Sequence, residues 1–309
     1  MRLEEYLSNI KVANDTAFTI GIFDGVHRGH QYLISCVVDK ARENGTLSGV
    51  ITFTEHPKEV LGYQNNVLLL TTVEERLKLL GEQGVDIILP LPFSREIAQL
   101  GAEEFLGQLK KYLRMRVLVM GPDSALGHDR QGDAIVLKQL AGQMGFDFIV
   151  VSPISIDGEI VSSSRIRQTL AQGDTKSANR MLGRFFSISG PVIKGRGRGR
   201  HIGFPTANID PDPSLLLPAN GVYASLVRLD GQVYPSVTNI GERPTFESEG
   251  RTVEVHLIGF QGDLYSEMLR IDIIDRLREE RKFACPDDLR DQIIRDISQA
   301  EEILKKVSG

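Results

Sequence analysis

A parallel α/β sheet joined to a small antiparallel β-barrel with a terminal helix is the architecture expected of these 309 residues. Strand-like and helix-like stretches alternate as far as about residue 183, the pattern of a parallel sheet with helices on both faces. Beyond that point, short apolar runs of period two recur between turn residues such as Asp230-Gly231 and Gly262-Asp263, which suggests a barrel. The chain then closes on one amphipathic helical pattern. At roughly 100–200 residues per domain the length fits about two domains, and the change of texture sets them at 1–183 and 184–309.

Residues 17–23 (AFTIGIF) read as the first strand and run into Asp24-Gly25-Val26-His27-Arg28-Gly29-His30. A helical face of Leu33, Ile34, Val37, Val38 and Ala41 follows, with Asn44-Gly45 as its stop. Residues 49–53 form the second strand. Thr72 and Glu75 make a capping-box pattern ahead of a helix carrying Leu77 and Leu80. Residues 85–89, 117–120 and 148–151 complete the sheet. In the second half the strand patterns are 185–193, 222–229, 233–239, 253–258 and 269–274. Pro286 opens the last helix, where its missing N–H costs nothing. Leu289, Ile293, Ile297, Ala300 and Leu304 form the face expected to pack on the barrel.

Hydrophobic residues at 41% and charged residues at 25% supply a core and exclude a globally disordered chain. The net charge of -5 disfavours a nucleic-acid coat protein. No apolar run approaches the ~20 residues of a membrane helix, and Met1-Arg2-Leu3-Glu4-Glu5 does not open a secretory leader. Cys36 and Cys285 form neither a metal pair nor a disulfide framework. The expected compartment is a reducing cytoplasm, with neither nucleic acid nor membrane as partner. Oligomeric state has no signature in the sequence.

His27-Arg28-Gly29-His30 follows a strand and opens a helix, a place where free N–H groups and a partial positive charge can hold phosphate. Two imidazoles there can donate hydrogen bonds as charge grows on phosphoryl oxygens, and such transfers need no protein nucleophile. Two histidines on a solvated surface turn would look the same. Val161-Ser162-Ser163-Ser164-Arg165-Ile166-Arg167 is a second anion trap at a helix start, or a capping serine run with solvated arginines. Two such sites at strand ends of one sheet match the side on which open α/β sheets bind ligands.

The His-x-Gly-His turn with the downstream Ser-Ser-x-x-x-Arg segment resembles the nucleotidylyltransferase superfamily. The run Gly21-Ile22-Phe23-Asp24-Gly25-Val26-His27-Arg28-Gly29-His30 resembles one branch of it, the FMN adenylyltransferase module of bacterial FAD synthetases, as does Thr52-Phe53-Thr54-Glu55-His56-Pro57. The resemblance implies that Gly21, Phe23, Asp24, His27, His30, Ser163, Ser164, Arg165 and Arg167 bind ATP. It implies that His27 and His30 act in catalysis, and that His56, Pro57 and Asp123 lie at the flavin. One segment departs: Gly121-Pro122-Asp123-Ser124-Ala125-Leu126-Gly127 lacks the family's two aromatic residues, at Ser124 and Leu126. An aromatic contact is worth about 0.5–1.5 kcal/mol, so the departure bears on acceptor affinity rather than fold.

In the second half, Lys194-Gly195-Arg196-Gly197-Arg198-Gly199-Arg200 is a dense cationic loop with exposed N–H groups, suited to a polyphosphate. It is not the GxxxxGK[ST] loop. A disordered nucleic-acid patch is the other reading. Thr206 and Asn208 offer hard oxygen donors at alternate positions, suited to Mg²⁺ shared with phosphates. Glu254 shares a strand face with His256 and can accept a proton from an attacking hydroxyl, unless the pair simply faces solvent.

These segments resemble riboflavin kinase, in order, over most of 185–290. The matching stretches are Gly-Arg loop to His201-Ile202-Gly203-Phe204-Pro205-Thr206-Ala207-Asn208, Asn220-Gly221-Val222-Tyr223, Thr238-Asn239-Ile240-Gly241, Arg243-Pro244-Thr245-Phe246, Val253-Glu254-Val255-His256 and Leu277-Arg278. The resemblance implies a six-stranded barrel. It implies that Gly195, Arg196, Gly197, Arg198, Gly199, His201, Gly203, Pro205, Thr206 and Asn208 bind ATP, with Thr206 and Asn208 on the metal, Glu254 as catalytic base, and Glu254 and Arg278 at the flavin. The whole chain thus resembles the bacterial bifunctional riboflavin kinase/FMN adenylyltransferase family, with ATP, riboflavin and FMN as partners and Mg²⁺ as cofactor. Two other readings are a kinase whose first module is weakened or redirected, and a flavin-sensing regulator.

Overall fold

A computed structural model describes residues 2–62, 67–195, 199, 202–242 and 250–307. They form two compact units, Met1–Ser162 and Ser163–Gly309.

The first unit carries α1 (Leu3–Ser8), β1 (Thr16–Gly21), α2 (Arg28–Asn44), β2 (Leu47–Phe53), α3 (Pro57–Val60), α4 (Val73–Gly81), β3 (Ile87–Leu91), α5 (Arg95–Ala98), α6 (Ala102–Leu113), β4 (Met115–Met120), α7 (Ala134–Met144) and β5 (Asp147–Val150). The five strands form one parallel sheet in the order β3-β2-β1-β4-β5. Strand order reverses about β1, so a crevice opens beyond the carboxyl ends of β1 and β4. Phe18, Leu91, Leu106, Leu113 and Leu118 are fully buried on one side of the sheet, and Val37, Ala41 and Val119 on the other. The expected stop of α2 is present: Gly45 takes φ 63 and its N–H returns to Ala41 and Arg42. Thr72 caps α4 by accepting the Glu75 N–H at 3.2 Å.

Two elements differ from expectation. β3 starts two residues late because the Asp86 carboxylate accepts both the N–H and the hydroxyl of Ser48, at 2.8 and 2.7 Å, closing the preceding loop. A hairpin of β6 (Ser155–Ile156) and β7 (Glu159–Ile160) stands between β5 and the serine run. Its turn residues Asp157 and Gly158 take φ 53 and 81, the left-handed pair a two-residue turn requires.

The second unit begins with α8 (Ser163–Ala171) and α9 (Thr175–Leu182) and continues through β8 (Phe186–Ile193), β9 (Ala207–Ile209), β10 (Gly221–Leu229), β11 (Gln232–Glu242), β12 (Arg251–Leu257), β13 (Met268–Arg278) and α10 (Pro286–Lys305). The strands close a barrel in the order β10-β11-β12-β9-β8-β13. β9 is the strand that period-two reading missed: three residues are too few to show alternation, and pairing with β12 and β8 defines it. The compact units part before α8, earlier than the change of texture at 183. The reason is Asn179, whose amide donates to Ile273 and Ile274 of β13 at 3.0 and 3.3 Å and accepts the Phe186 N–H at 2.7 Å. α10 lays Ala300 and Leu304 over Val222, Ala224, Val237 and Ile274.

Candidate active sites

In the first unit the chain leaves β1 through a turn with three left-handed residues, Phe23 (φ 53), Gly25 (φ 81) and Val26 (φ 36). A β-branched residue in that region is strained. The turn is held from outside the motif. Asp24 is buried and its carboxylate accepts the N–H groups of Leu70 at 2.9 Å and Thr71 at 3.2 Å, while Thr71 Oγ1 accepts the Gly25 N–H at 3.1 Å. Asp24 therefore shapes the turn. Gly21 and Phe23 sit beside it; a Cβ on Gly21 would lie 3.2 Å from the Phe23 ring.

His27 caps α2: its Nδ1 accepts the His30 N–H at 3.3 Å. That fixes the ring proton on Nε2, because a neutral imidazole has one donor and one acceptor. The His27 and His30 rings stack at 3.6 Å and 17°, and Phe23 meets His30 edge-on at 5.1 Å. His30 Nδ1 is buried without a hydrogen-bond partner among the described residues. Burial first, then His27 and Arg76, hold the His30 ring well below the ordinary imidazole value. A Cβ on Gly29 would sit 3.1 Å from the His27 ring and 3.3 Å from the Val161 carbonyl oxygen, so the absence of a side chain lets the 161 segment approach the histidine turn.

A cavity of ≈ 670 Å³ opens at the carboxyl ends of β2, β3 and β4. Phe53, Pro57, Phe93, Phe105 and Leu126 line it, with Lys58, Arg95, His128 and Arg130 among its polar groups. Of the residues expected at a flavin, Pro57 lines this cavity. His56 caps α3 through Lys58 N–H at 3.2 Å, and the Asp123 carbonyl accepts from Arg130 at 2.8 Å. Leu126 stands in the wall where the motif lacks its aromatic, but Phe53 and Phe93 meet edge-on at 5.1 Å in the same wall. Phe53 belongs to the Thr52-to-Pro57 motif, whereas Phe93 had no signal in the sequence.

In the second unit Ser163 and Ser164 open α8. Arg165 is held by Gln168 at 3.1 Å, and Arg165 and Arg167 are half-buried.

The barrel gathers a polar row across three strands. Asn239 on β11 is registered with Glu254 on β12, and Glu254 with Asn208 on β9. Residues directly opposite share a face, so the carboxylate lies between two amides. Asn239 is the residue the motif reading left without a role. A Cβ on Gly195 would overlap the Asn208 amide, and one on Gly199 would lie 3.4 Å from Thr206 Oγ1. Gly195 and Gly199 thus lie against the two oxygen-donor side chains, and this donor set fits a hard cation shared with phosphate. Pro205 is fixed by its carbonyl, which accepts from His256 Nδ1 at 2.8 Å; Gly203 takes φ 88. Arg196, Gly197, Arg198 and His201 lie outside the described residues, as does the stretch 243–249. Beside Thr206 a cavity of ≈ 290 Å³ is lined by Val192, Leu257, Phe260 and Tyr265.

Arg278 does not face this row with a free guanidinium. It donates to Asp296 of α10 through Nε at 3.1 Å and Nη2 at 2.8 Å, and through Nη1 to the Glu279 carbonyl. Asp296 is an acid on the buried face of α10, which the apolar periodicity of that helix did not reveal.

Residues 9–165 match the family model of FAD synthetase, and residues 182–304 match that of riboflavin kinase. The bifunctional riboflavin kinase/FMN adenylyltransferase of Escherichia coli K12 is 36% identical over 98% of this chain and 97% of its own length. That of Pseudomonas fluorescens is 38% identical over 92% of each. A crystal structure described as a macrolide-efflux protein of Streptococcus pneumoniae superposes with a TM-score of 0.89 at 33% identity over 96% of both chains. Among the described residues of this chain, no helix is long and apolar enough to cross a membrane. With both family models matched in order along one chain, this protein belongs to the bifunctional riboflavin kinase/FMN adenylyltransferase family.

Proposed function

We propose that residues 184–309 phosphorylate riboflavin with ATP, giving FMN and ADP, and that residues 1–183 transfer AMP from a second ATP to FMN, giving FAD and pyrophosphate. The observation that carries the reading is the registered pair Glu254 and Asn208, with Gly195 packed against the Asn208 amide. In the kinase step Glu254 takes the proton of the riboflavin 5′-hydroxyl as its oxygen attacks the γ-phosphorus and ADP departs, a role typically worth about 10²–10⁴-fold. Thr206 and Asn208 would hold Mg²⁺ together with phosphate oxygens; the ion supplies neutralisation of phosphate charge. Gly195 to Gly199 give backbone access to the triphosphate, and the apolar cavity beside Thr206 receives the purine. Arg278 acts through α10, bracing that helix against the barrel through Asp296.

In the adenylyl transfer no general base is required, because the attacking group is the FMN phosphate, already anionic near neutral pH. Its oxygen bonds to the α-phosphorus as the pyrophosphate leaves. His27 and His30 donate N–H to phosphoryl oxygens as charge develops, and Ser163, Ser164, Arg165 and Arg167 hold the triphosphate. An ion bound to the triphosphate would supply neutralisation of its charge here as well. The flavin ring occupies the cavity between Phe53, Pro57, Phe93 and Leu126, with His56 and Asp123 shaping its rim and Lys58, Arg95 and Arg130 complementing the phosphate. The free thiols Cys36 and Cys285 suit a reducing cytoplasm.

The test is a time course of the purified chain with riboflavin, ATP and Mg²⁺, the flavins separated by chromatography. FMN should rise and then convert to FAD. FMN accumulating without FAD, even with fresh ATP and added FMN, would leave a kinase alone. No FMN from riboflavin would overturn the kinase assignment, and no FAD from added FMN the adenylyltransferase assignment.

A further inference from the structure

Arg76 belongs to no motif, yet among the described residues it is the largest fully buried side chain, with 1% exposed. It lies on α4 between the capping Thr72 and the buried Leu79 and Leu80. Its Nη1 donates to the Ile22 carbonyl at 2.9 Å, and its Nη2 to the Thr54 carbonyl at 3.4 Å. Ile22 follows the last residue of β1 and Thr54 the last residue of β2. The Ile22 carbonyl also accepts Thr52 Oγ1 at 3.0 Å. Segment 70–76 therefore grips the strained histidine turn at its start through Arg76 and at its middle through the Asp24 and Gly25 bonds to Leu70 and Thr71.

A buried guanidinium is costly unless its surroundings repay desolvation. Asp24 and Glu55 attract the charge, but Nε has no partner among the described residues, and burial lowers the Arg76 pKa. Stability alone would favour an apolar residue on this helix face. A cation retained under the carboxyl edge of two strands, the edge at which such sheets bind ligands, points to the site above it.

We propose that Arg76 is a positioning residue of the adenylyl-transfer site: its guanidinium ties the carboxyl end of β1 to that of β2 and so fixes the turn that presents His27 and His30. This rests on the adenylyltransferase reading given above. A second consequence follows from charge. Arg76 and the stacked His27 face His30, and both oppose its protonation, while Asp24 and Glu55 face the guanidinium itself.

The experiment compares Arg76→Met and Arg76→Lys in the full-length chain. Misplacing catalytic groups by about 1 Å can cost about a hundredfold, so kcat for FMN-to-FAD conversion should fall by about that factor in both variants. KM for ATP should change less, and FMN formation from riboflavin should stay at the parental rate. Histidine ring signals, followed by NMR through a pH titration, supply a readout apart from activity. In Arg76→Met the His30 titration should move up while staying below the ordinary value, because burial and His27 still hold it down; in Arg76→Lys, which keeps the cation, it should stay at the parental position. Parental kcat in either variant overturns the clamp. An unmoved His30 titration in Arg76→Met overturns the electrostatic part. Loss of the N-terminal unit's own thermal transition in both variants assigns Arg76 to stability alone and overturns the proposal. A parental chain that makes no FAD refutes the adenylyltransferase reading instead, and the titration still decides the placement of Arg76.

Discussion

Asp296→Asn removes the charge that α10 presents to the barrel while keeping its shape. Asp296 is 3% exposed and Arg278 19%, with Nη2 at 2.8 Å from the carboxylate and Gln292 bonded to it at 2.7 Å. Removing one partner of a buried pair costs about 3–5 kcal/mol, because the other charge is left uncompensated. A unit of this size loses about 2–4 °C of Tm per kcal/mol. The C-terminal transition should therefore fall by about 6 °C or more. Calorimetry of the full chain measures it, with residual kinase activity after heating identifying which transition belongs to the barrel. The paired change Arg278→Met with Asp296→Leu should recover much of the loss, since an apolar pair of similar volume often replaces a buried ion pair at little cost. A Tm within 2 °C of the parent (under about 1 kcal/mol) would refute the reasoning. A raised riboflavin KM in Arg278→Met without any fall in Tm would restore Arg278 to direct flavin contact.

Glu254→Gln should cut FMN formation by about 10²–10⁴-fold and leave conversion of added FMN to FAD near parental; equal losses in both steps would remove Glu254 as base. Gly195→Ala would force a Cβ into the Asn208 amide, and should lower kinase kcat/KM for ATP by up to about a hundredfold with FAD formation from FMN unchanged. The His30 pKa is lower folded than unfolded, so the unfolded chain binds more protons below about 6.5 and the N-terminal unit loses stability as pH falls through that value; urea melts at pH 7.5, 6.5 and 5.5 should show it, and His30→Gln should flatten the decline. A fragment beginning at 184 strips Met181 and Leu182, both at most 4% exposed, from the barrel; at about 1.5–3 kcal/mol per buried side chain it should melt well below a fragment beginning at 163, and equal Tm values would separate α9 from the kinase unit.

Local patterns reached far in this chain. Short apolar runs announced most barrel strands, and in β8 and β12 the alternation is the direct imprint of one buried face. Short motifs singled out His27, His30, Thr206, Asn208 and Glu254 as candidates because phosphate chemistry demands particular atoms at short sequence separation. What the sequence could not display is any partnership set by long loops. β9 exists only through pairing with β12 and β8. Asn239 meets Glu254 only because β11 and β12 are in that register. Arg76 in an amphipathic helix reads as one more polar residue, although its place before Leu79 and Leu80 is a core position; only the fold carries it beneath Ile22 and Thr54. Asp296 is likewise an acid among acids until Arg278 arrives from β13. The sequence by itself determined the order of the long strands and helices and singled out the candidate reactive groups, because burial periodicity and motif chemistry are local. Only the tertiary structure decided which charges are buried, what neutralises them and which backbone they hold, because desolvation and pairing depend on neighbours distant along the chain.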